Sequence, residues 1–365
     1  MLVLWIFPGW VVGGQTTLTT ADTKKLSCLV GKVLGKDVKI EPVSAAAVLP
    51  DLSHVRRINV RQDLLAVADL IELCFASTLD ADGREYLRSL RWAARDAYYL
   101  SWLQGAAERL SAPMQGFVWE ENGRIIGNLS LIPMLRSGKL VYWIANVAVH
   151  PDFRRRGIAR QLTLKALQHL KEKGVRSVWL QVRDDNPAAY HLYLSLGFVE
   201  KIRRTSWMTV PYQSIPRIDS SGVSVQPRRP VDWPQQEAWL KENYPPDVAW
   251  NLSLKISRFR PHFWQRVLRW LQGELQENWS AWQGNQVIGF ASWEPLRSYS
   301  DSLWVAAPPE SEAEAIPPLL YKARQALRYR GKPLQVNYPA ERAVDHFRRA
   351  GFQHHQTLIW MRAET

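Results

Sequence analysis

Along residues 55–210 the apolar positions switch between two periods. VRRINV (55–60) has the alternation of a strand. DLLAVADLIELCFAS (63–77) is apolar every third or fourth residue and predicts a helix, as does REYLRSLRWAARDAYYLSWLQGAAERL (84–110). MQGFVWEE (114–121) and RIIGNLSLIP (124–133) flank Asn122-Gly123, a hairpin signature. LVYWIANVAVH (140–150) predicts a long strand. RQLTLKALQHLKEKG (160–174) predicts an amphipathic helix closed by Gly174. VRSVWLQVR (175–183) is a strand, NPAAYHLYLSLG (186–197) a short helix, and FVEKIRRTSWMTV (198–210) the last strand of this half. Alternating strands and helices place the chain in the α/β class with a mixed sheet.

Residues 210–234, rich in Pro and Ser, lack either period and lead into a new strand. Beyond them the pattern repeats. IIGNLSLIP (125–133) is echoed by VIGFASWEP (287–295), and LQVRDDNPAAYHLYLSLGF (180–198) by LQVNYPAERAVDHFRRAGF (334–352). Two echoes in the same order indicate a duplicated unit. The expected organisation is an N-terminal extension of undetermined structure (1–50), a first domain (51–210), a linker (211–222) and a second, related domain (223–365).

The chain has 365 residues, 46% of them hydrophobic, enough for two cores. Its net charge of +13 favours anionic partners without choosing among them. Two cysteines, Cys28 and Cys74, exclude a disulfide framework and a thiolate zinc cluster, and fit a cytoplasmic setting. No metal is expected. The apolar opening MLVLWIFPGWVVGG has no basic leader and is interrupted by Pro8-Gly9, so neither a signal peptide nor a spanning helix is expected.

Charge becomes informative at HPDFRRRGIARQL (150–162). Cations are unwelcome at a helix N-terminus, yet three arginines meet Gly157 where a helix begins. Gly157 and Ala159 allow close backbone approach, and the first-turn N–H groups point at the approaching ligand. Together they predict a phosphate cradle. The Lys-Ser/Thr of a P-loop and the GxGxxG of a dinucleotide fold are both missing from it.

Arg154-x-x-Gly157-x-Ala159 and, downstream, Asn186-x-x-Ala189-x-x-x-Tyr193-x-x-x-Gly197-Phe198 resemble two motifs of the GCN5-related N-acetyltransferase (GNAT) superfamily. The resemblance covers residues 55–210 and reaches the second half by fold pattern only. It implies two tandem GNAT-like domains, each a mixed, mostly antiparallel sheet flanked by helices, with acetyl-CoA as co-substrate. The cradle from Arg154 through Arg155, Arg156, Gly157, Ile158 and Ala159 to Arg160 would hold the pyrophosphate. The backbone of Asn146, Val147, Ala148 and Val149 would pair with the pantetheine, Asn186 would bond the cofactor arm, and Tyr193 would protonate the leaving thiolate. An amine would attack the thioester directly.

The general base is not evident. In the ribosomal-protein N-terminal acetyltransferases that WLQVRDDN resembles, a Glu stands where this chain has Gln181, which cannot act as a base. His150, Glu120, Glu121, Tyr142 or a water relay remain open. In the second half, WVAAPPESEAEAIPPLL (304–320) replaces the cradle with Glu310, Glu312 and Glu314, and Ala340 and Phe347 replace Asn186 and Tyr193. That half is expected to be degenerate, a layout that resembles mycothiol synthase. The expected acceptor is a primary amine on a small molecule or peptide, with no nucleic acid and no membrane partner; the oligomeric state stays open. The alternative is a non-catalytic acyl-CoA-binding sensor or scaffold.

Overall fold

The Asn122-Gly123 turn forms as its sequence dictates. Both residues take positive φ (53° and 73°), the geometry of a two-residue hairpin joining β2 (Gln115–Glu121) to β3 (Arg124–Arg136). The computed structural model describes residues 53–96, 115–136, 139–215, 222–261, 276–296 and 298–365. The expectations for 1–50 and for the helix beyond Asp96 lie outside them.

The first strand is shorter than its pattern suggests. β1 is Val55–Arg57, because Asn59 caps α1 (Val60–Phe75) by accepting from the Arg61 N–H at 3.1 Å. Asp80 similarly caps α2 (Ala81–Arg95) through the Gly83 N–H at 2.7 Å. Then follow β4 (Lys139–Val149), α3 (Ile158–Glu172), β5 (Ser177–Arg183), α4 (Pro187–Leu194) and β6 (Val199–Met208). The second half supplies β7 (Val223–Pro227), α5 (Trp233–Asn243), α6 (Pro246–Ala249), β8 (Glu277–Gln283), β9 (Gln286–Glu294) and β10 (Asp301–Ala306). It ends with α7 (Glu312–Ala326), β11 (Leu334–Pro339), α8 (Val344–Arg349) and β12 (Gln353–Glu364).

All twelve strands join one sheet, in the order β1-β2-β3-β4-β5-β12-β6-β11-β10-β9-β8-β7. The order is palindromic: β1 to β6 correspond to β7 to β12, except that the two last strands are exchanged. β12 pairs with β5 from Leu358↔Arg183 to Glu364↔Ser177, and β6 pairs with β11 from Gln335↔Met208 to Pro339↔Arg204. The two exchanged strands pair with each other at the centre, where Thr205 and Thr357 share a 2.8 Å hydroxyl–hydroxyl bond. Both strands thus cross the boundary expected near residue 210, and Leu52–Thr365 packs as one compact unit. β4–β5 and β10–β11 are parallel and the other pairs antiparallel, which is the mixed, mostly antiparallel sheet of the expected fold.

The repeated Ile-Gly has a packing cause. A Cβ on Gly127 would lie 2.8 Å from Ile158 Cγ2, and one on Gly289 would lie 2.7 Å from Ala315 Cβ. Each glycine lets a helix, α3 or α7, lie directly on its hairpin strand. On that face of the first half, α3 buries Ile158, Leu162, Ala166 and Leu170 against β2–β5 and against Ile359, Met361 and Ala363 of β12. On the opposite face α1 and α2 pack Leu64, Val67, Ile71, Tyr86, Leu87 and Leu90 with Val118.

Candidate active site

β4 and β5 pair at Tyr142↔Val178, Trp143↔Trp179 and Ile144↔Leu180, and then part. Just past the parting, β4 bulges. Asn146 takes φ 52°, and Asn146 and Val147 together stand opposite Leu129 alone, between the pairs Ser130↔Ala145 and Asn128↔Ala148. A bulge re-aims the backbone and ends regular pairing. Residues 146–149 therefore have β3 on one side and no strand on the other. Two of their carbonyls are nevertheless engaged: Asn146 O accepts from Asn128 Nδ2 at 2.8 Å, and Val149 O from Cys74 Sγ (3.2 Å) and Arg154 Nε (3.3 Å).

The chain leaves β4 through His150 and a single turn, Pro151–Phe153, and enters α3 through residues 154–157. Arg155 (φ 63°) and Gly157 (φ 79°) both lie in the left-handed region, which folds the backbone into a cradle. Gly157 is the N-cap of α3 and supplies no side chain. The first intrahelical bond is Gln161 N–H to Gly157 O, so the N–H groups of Ile158, Ala159 and Arg160 are the orphan donors of the helix end. A Cβ on Gly157 would meet nothing within 4 Å; the space above it is open.

The arginines are arranged less simply than their sequence suggested. Arg156 is held by Glu121 at 3.3 Å, with its guanidinium over the Phe153 ring. Arg160 donates to Ser195 Oγ at 2.8 Å. Asn186 caps α4, its Oδ1 accepting from the Ala189 N–H at 3.1 Å. Tyr193 sits in the core beneath α3, 7% exposed, edge-on to Phe198. Burial pushes its phenol above the ordinary range, so it stays protonated at neutral pH.

Of the four candidate bases, three are engaged by other side chains and one is buried. Glu120 pairs with Arg56 (2.5 Å) and Glu121 with Arg156. Tyr142 is buried beneath α3, and burial raises its phenol. His150 Nε2 accepts from Arg124 at 2.9 Å, which occupies the lone pair a base would use. The sequence did not single out Asn128, Ser130 and Tyr86, three buried polar side chains gathered with Asn146 at the bulge.

The second half fills the corresponding places with its own side chains. The turn Pro309–Ser311 runs directly into α7, with no loop like residues 154–157. Glu312, the first residue of α7, is 8% exposed, accepts from Tyr338 OH at 2.6 Å and pairs with Arg342. Where β10 leaves β11, Val305 N–H donates to Tyr244 OH (3.3 Å) and Val305 O accepts from Asn243 Nδ2 (3.1 Å). Arg204, fully buried, donates to Asn337 Oδ1, Asn337 O and Asn243 O at 2.7–2.9 Å; burial lowers it to about 10. Phe347, standing where the first half has Tyr193, stacks on Trp207 at 5.2 Å. Among the described residues there is no cluster of metal-ligating side chains, and no helix is long and apolar enough to cross a membrane.

The site thus combines a parted parallel strand pair, a bulge in its first strand and an uncapped helix beyond it. Residues 77–198 match the acetyltransferase (GNAT) family. Over 65 residues it is 49% identical to the ribosomal protein bS18-alanine N-acetyltransferase of Salmonella typhimurium, covering 18% of this chain and 44% of that protein. Over 155 residues it is 33% identical to an uncharacterized N-acetyltransferase of Methanocaldococcus jannaschii, covering 41% of this chain and 63% of that protein. The chain thus spans less than two thirds of the length of each of these relatives. A GCN5-related N-acetyltransferase from Sphaerobacter thermophilus shares the fold across 87% of this chain and 96% of its own, with a TM-score of 0.53 and 17% identity.

Proposed function

We propose that the first half is an acetyl-CoA-dependent N-acetyltransferase acting on a primary amine of a small molecule or a peptide. The carrying observation is the continuity of the parted β4, its bulge at Asn146 and the open, uncapped start of α3. Free N–H groups on Ile158, Ala159 and Arg160, the helix dipole and nearby arginines form a pyrophosphate site. The bulged stretch Asn146–Val149 offers an edge for the pantetheine amides, and Asn186 Nδ2 a contact to the arm. Acetyl-CoA supplies the activated thioester. The amine nitrogen bonds to the carbonyl carbon, the C–S bond breaks, and Tyr193 OH gives its proton to the departing sulfur. Water takes the proton lost by the amine, since Glu120, Glu121 and His150 are already bonded and Tyr142 is buried. The second half contributes β12 and packs Trp250 on Trp143 and Trp179 (5.7 and 6.0 Å between ring centres). Its own cofactor positions hold Glu312, Tyr244 and Asn243.

The relative that acetylates an alanine of ribosomal protein bS18 makes a peptide with N-terminal Ala the first acceptor to screen, although Gln181 stands in place of the family's Glu. The engagement or burial of every candidate base favours a second reading, a protein that binds acyl-CoA without turnover. Calorimetric titration of acetyl-CoA into wild type and into Arg156→Glu/Gly157→Glu tests the cofactor site. Binding that disappears in the variant supports it; no binding to wild type removes both readings.

A further inference from the structure

Residues 150–176 hold eight Lys or Arg against Asp152 and Glu172, so nearly half of the chain's net charge of +13 falls within 27 residues. The cradle uses only the arginines at the start of α3. Lys165, Lys171, Lys173 and Arg176 lie further along, and from Ile158 to Lys173 the helix rises about 22 Å, beyond the reach of a diphosphate seated at its first turn. Among the described residues none of these four forms an ion pair, whereas Arg56 and Arg91 each hold two carboxylates. The fold then adds a cation from elsewhere. Lys165, His169 and Lys173 follow one another at four-residue steps on one flank of α3. β1 brings Arg57 to that flank, its guanidinium donating to His169 Nδ1 at 3.3 Å. His169 stands edge-on to Phe117, and burial together with Lys173, Arg57 and Lys165 holds it below the ordinary histidine value against the opposing pull of Glu172. The helix dipole accounts for Lys171 and Lys173 at a C-terminus, but not for Lys165 in the middle of α3 or for Arg57 from another strand. Cations gathered this closely repel one another, and an anionic group among them relieves the repulsion.

The same face limits what that anion belongs to. No large apolar side chain between residues 150 and 176 is exposed, so the apolar core that a protein interface needs has no counterpart here. Phosphate contacts need only charge and N–H donors. We propose that Arg57, Lys165, His169 and Lys173 bind the phosphodiester backbone of a nucleic acid, with Lys171 and Arg176 extending the surface past the helix end. Phe117, the ring beside them, is buried and offers no face for a base to stack on, so the contact carries no base preference. This departs from the expectation of no nucleic-acid partner. The sequence carries no signature of the cluster because Arg57 lies 112 residues before His169 and meets it only in the fold. The surface is at the far end of α3 from the cradle and is independent of the acetyltransferase reading.

The test uses the full chain and a fluorescein-labelled oligothymidylate of about twelve nucleotides, followed by anisotropy from about 50 mM KCl upward. Wild type is expected to bind it, with log Kd rising against log salt at a slope of about 2, the value for three neutralised phosphates on a single strand. Lys165→Glu/Lys173→Glu is expected to weaken binding about tenfold or more and to flatten that slope. Lys201→Glu/Lys255→Glu, which removes the same charge from two other exposed sites, is expected to stay within about twofold of wild type. Equal losses in the two variants overturn the proposal, because overall charge then explains the binding. Saturating acetyl-CoA is expected to leave the oligonucleotide bound; displacement assigns it to the cradle and overturns the proposal. In wild type, the NMR titration of His169, identified by its loss in His169→Gln, is expected to move to higher pH with oligonucleotide present, since a phosphate favours the imidazolium. An unmoved titration overturns the site even where the lysine variant fails to fold. No binding of the oligonucleotide also overturns it, and retention on phosphatidylcholine–phosphatidylserine vesicles in that case gives the surface to a membrane. Acetyl-CoA binding without oligonucleotide binding leaves the acetyltransferase reading standing, and the converse leaves this one.

Discussion

Replacing Ile359 with Ala tests the exchange of strands directly. Ile359 belongs to β12, near the end of the second half, yet it pairs with Val182 of β5 and is buried (3% exposed) in the core beneath α3. Truncating a buried Ile to Ala costs about 2–5 kcal/mol, the transfer of three carbons plus the cavity they leave. Against a typical total of about 5–15 kcal/mol, that is a large share of the stability. The loss should fall on the first half, since the neighbours left unsupported are Val178, Leu180, Val182 and Tyr193. It should also lower the stability of the whole, because β6 ties the same region to β11. Urea denaturation followed by circular dichroism is expected to show one transition, displaced to lower urea. Hydrogen exchange should show residues 177–183 losing protection at least as much as residues 301–306. Two separate transitions, with the variant moving only the one that reports the second half, would refute a shared sheet.

Tyr193→Phe should cut kcat about a hundredfold and leave the acetyl-CoA Kd unchanged, because the hydroxyl acts on the leaving sulfur alone; stopped-assay turnover and calorimetry together check it. Gly127→Ala should cost about 1–3 kcal/mol in a thermal melt. It should also weaken acetyl-CoA binding, since its Cβ would meet Ile158, Trp119 and Leu162 at 2.8–3.1 Å and push α3, with its cradle, off β3. Asp80 gives an acid-sensitive term. Burial alone would raise its carboxyl, but the bond from His355 (3.4 Å) and the Gly83 N–H outweigh that and hold it below the usual value. A folded value below the unfolded one means stability present above about pH 4 and lost as pH falls through the folded value. Asp80→Asn should therefore flatten the acid limb of the unfolding curve below about pH 4, and an unchanged limb would contradict the assignment.

What was legible in the sequence was local. Asn122-Gly123 fixed its turn through two positive φ angles, and Gly157 announced an uncapped helix behind three arginines. The echoes of Ile-Gly marked two strands that helices must approach closely. Partnership was not legible. β6 is legible as a strand, but its sequence carries no information about which strand lies alongside. The Asn128/Ser130 pair was visible too, as polar residues alternating with Leu129 and Leu131. That pattern ordinarily marks a face in water; here α1 packs on these strands and Tyr86 of α2 reaches in, and the two side chains become buried groups at the bulge. Nor could sequence show that the end of α5 supplies Asn243 and Tyr244 to the second half's strand gap, since that requires the fold to bring a helix end to β10.

The exchange of β6 and β12 bears on how the protein is made. A ribosome releases β5 and β6 long before β12 exists. Between Met208 and Gln353 lie 144 residues, on the order of ten seconds of synthesis at about 5–20 residues per second. Throughout that interval the emerging first half has every cradle residue but an open seam along β5, an unpaired strand edge of the kind chaperones guard. A message truncated before β12 yields a polypeptide that carries both sequence motifs and still cannot close the sheet around them.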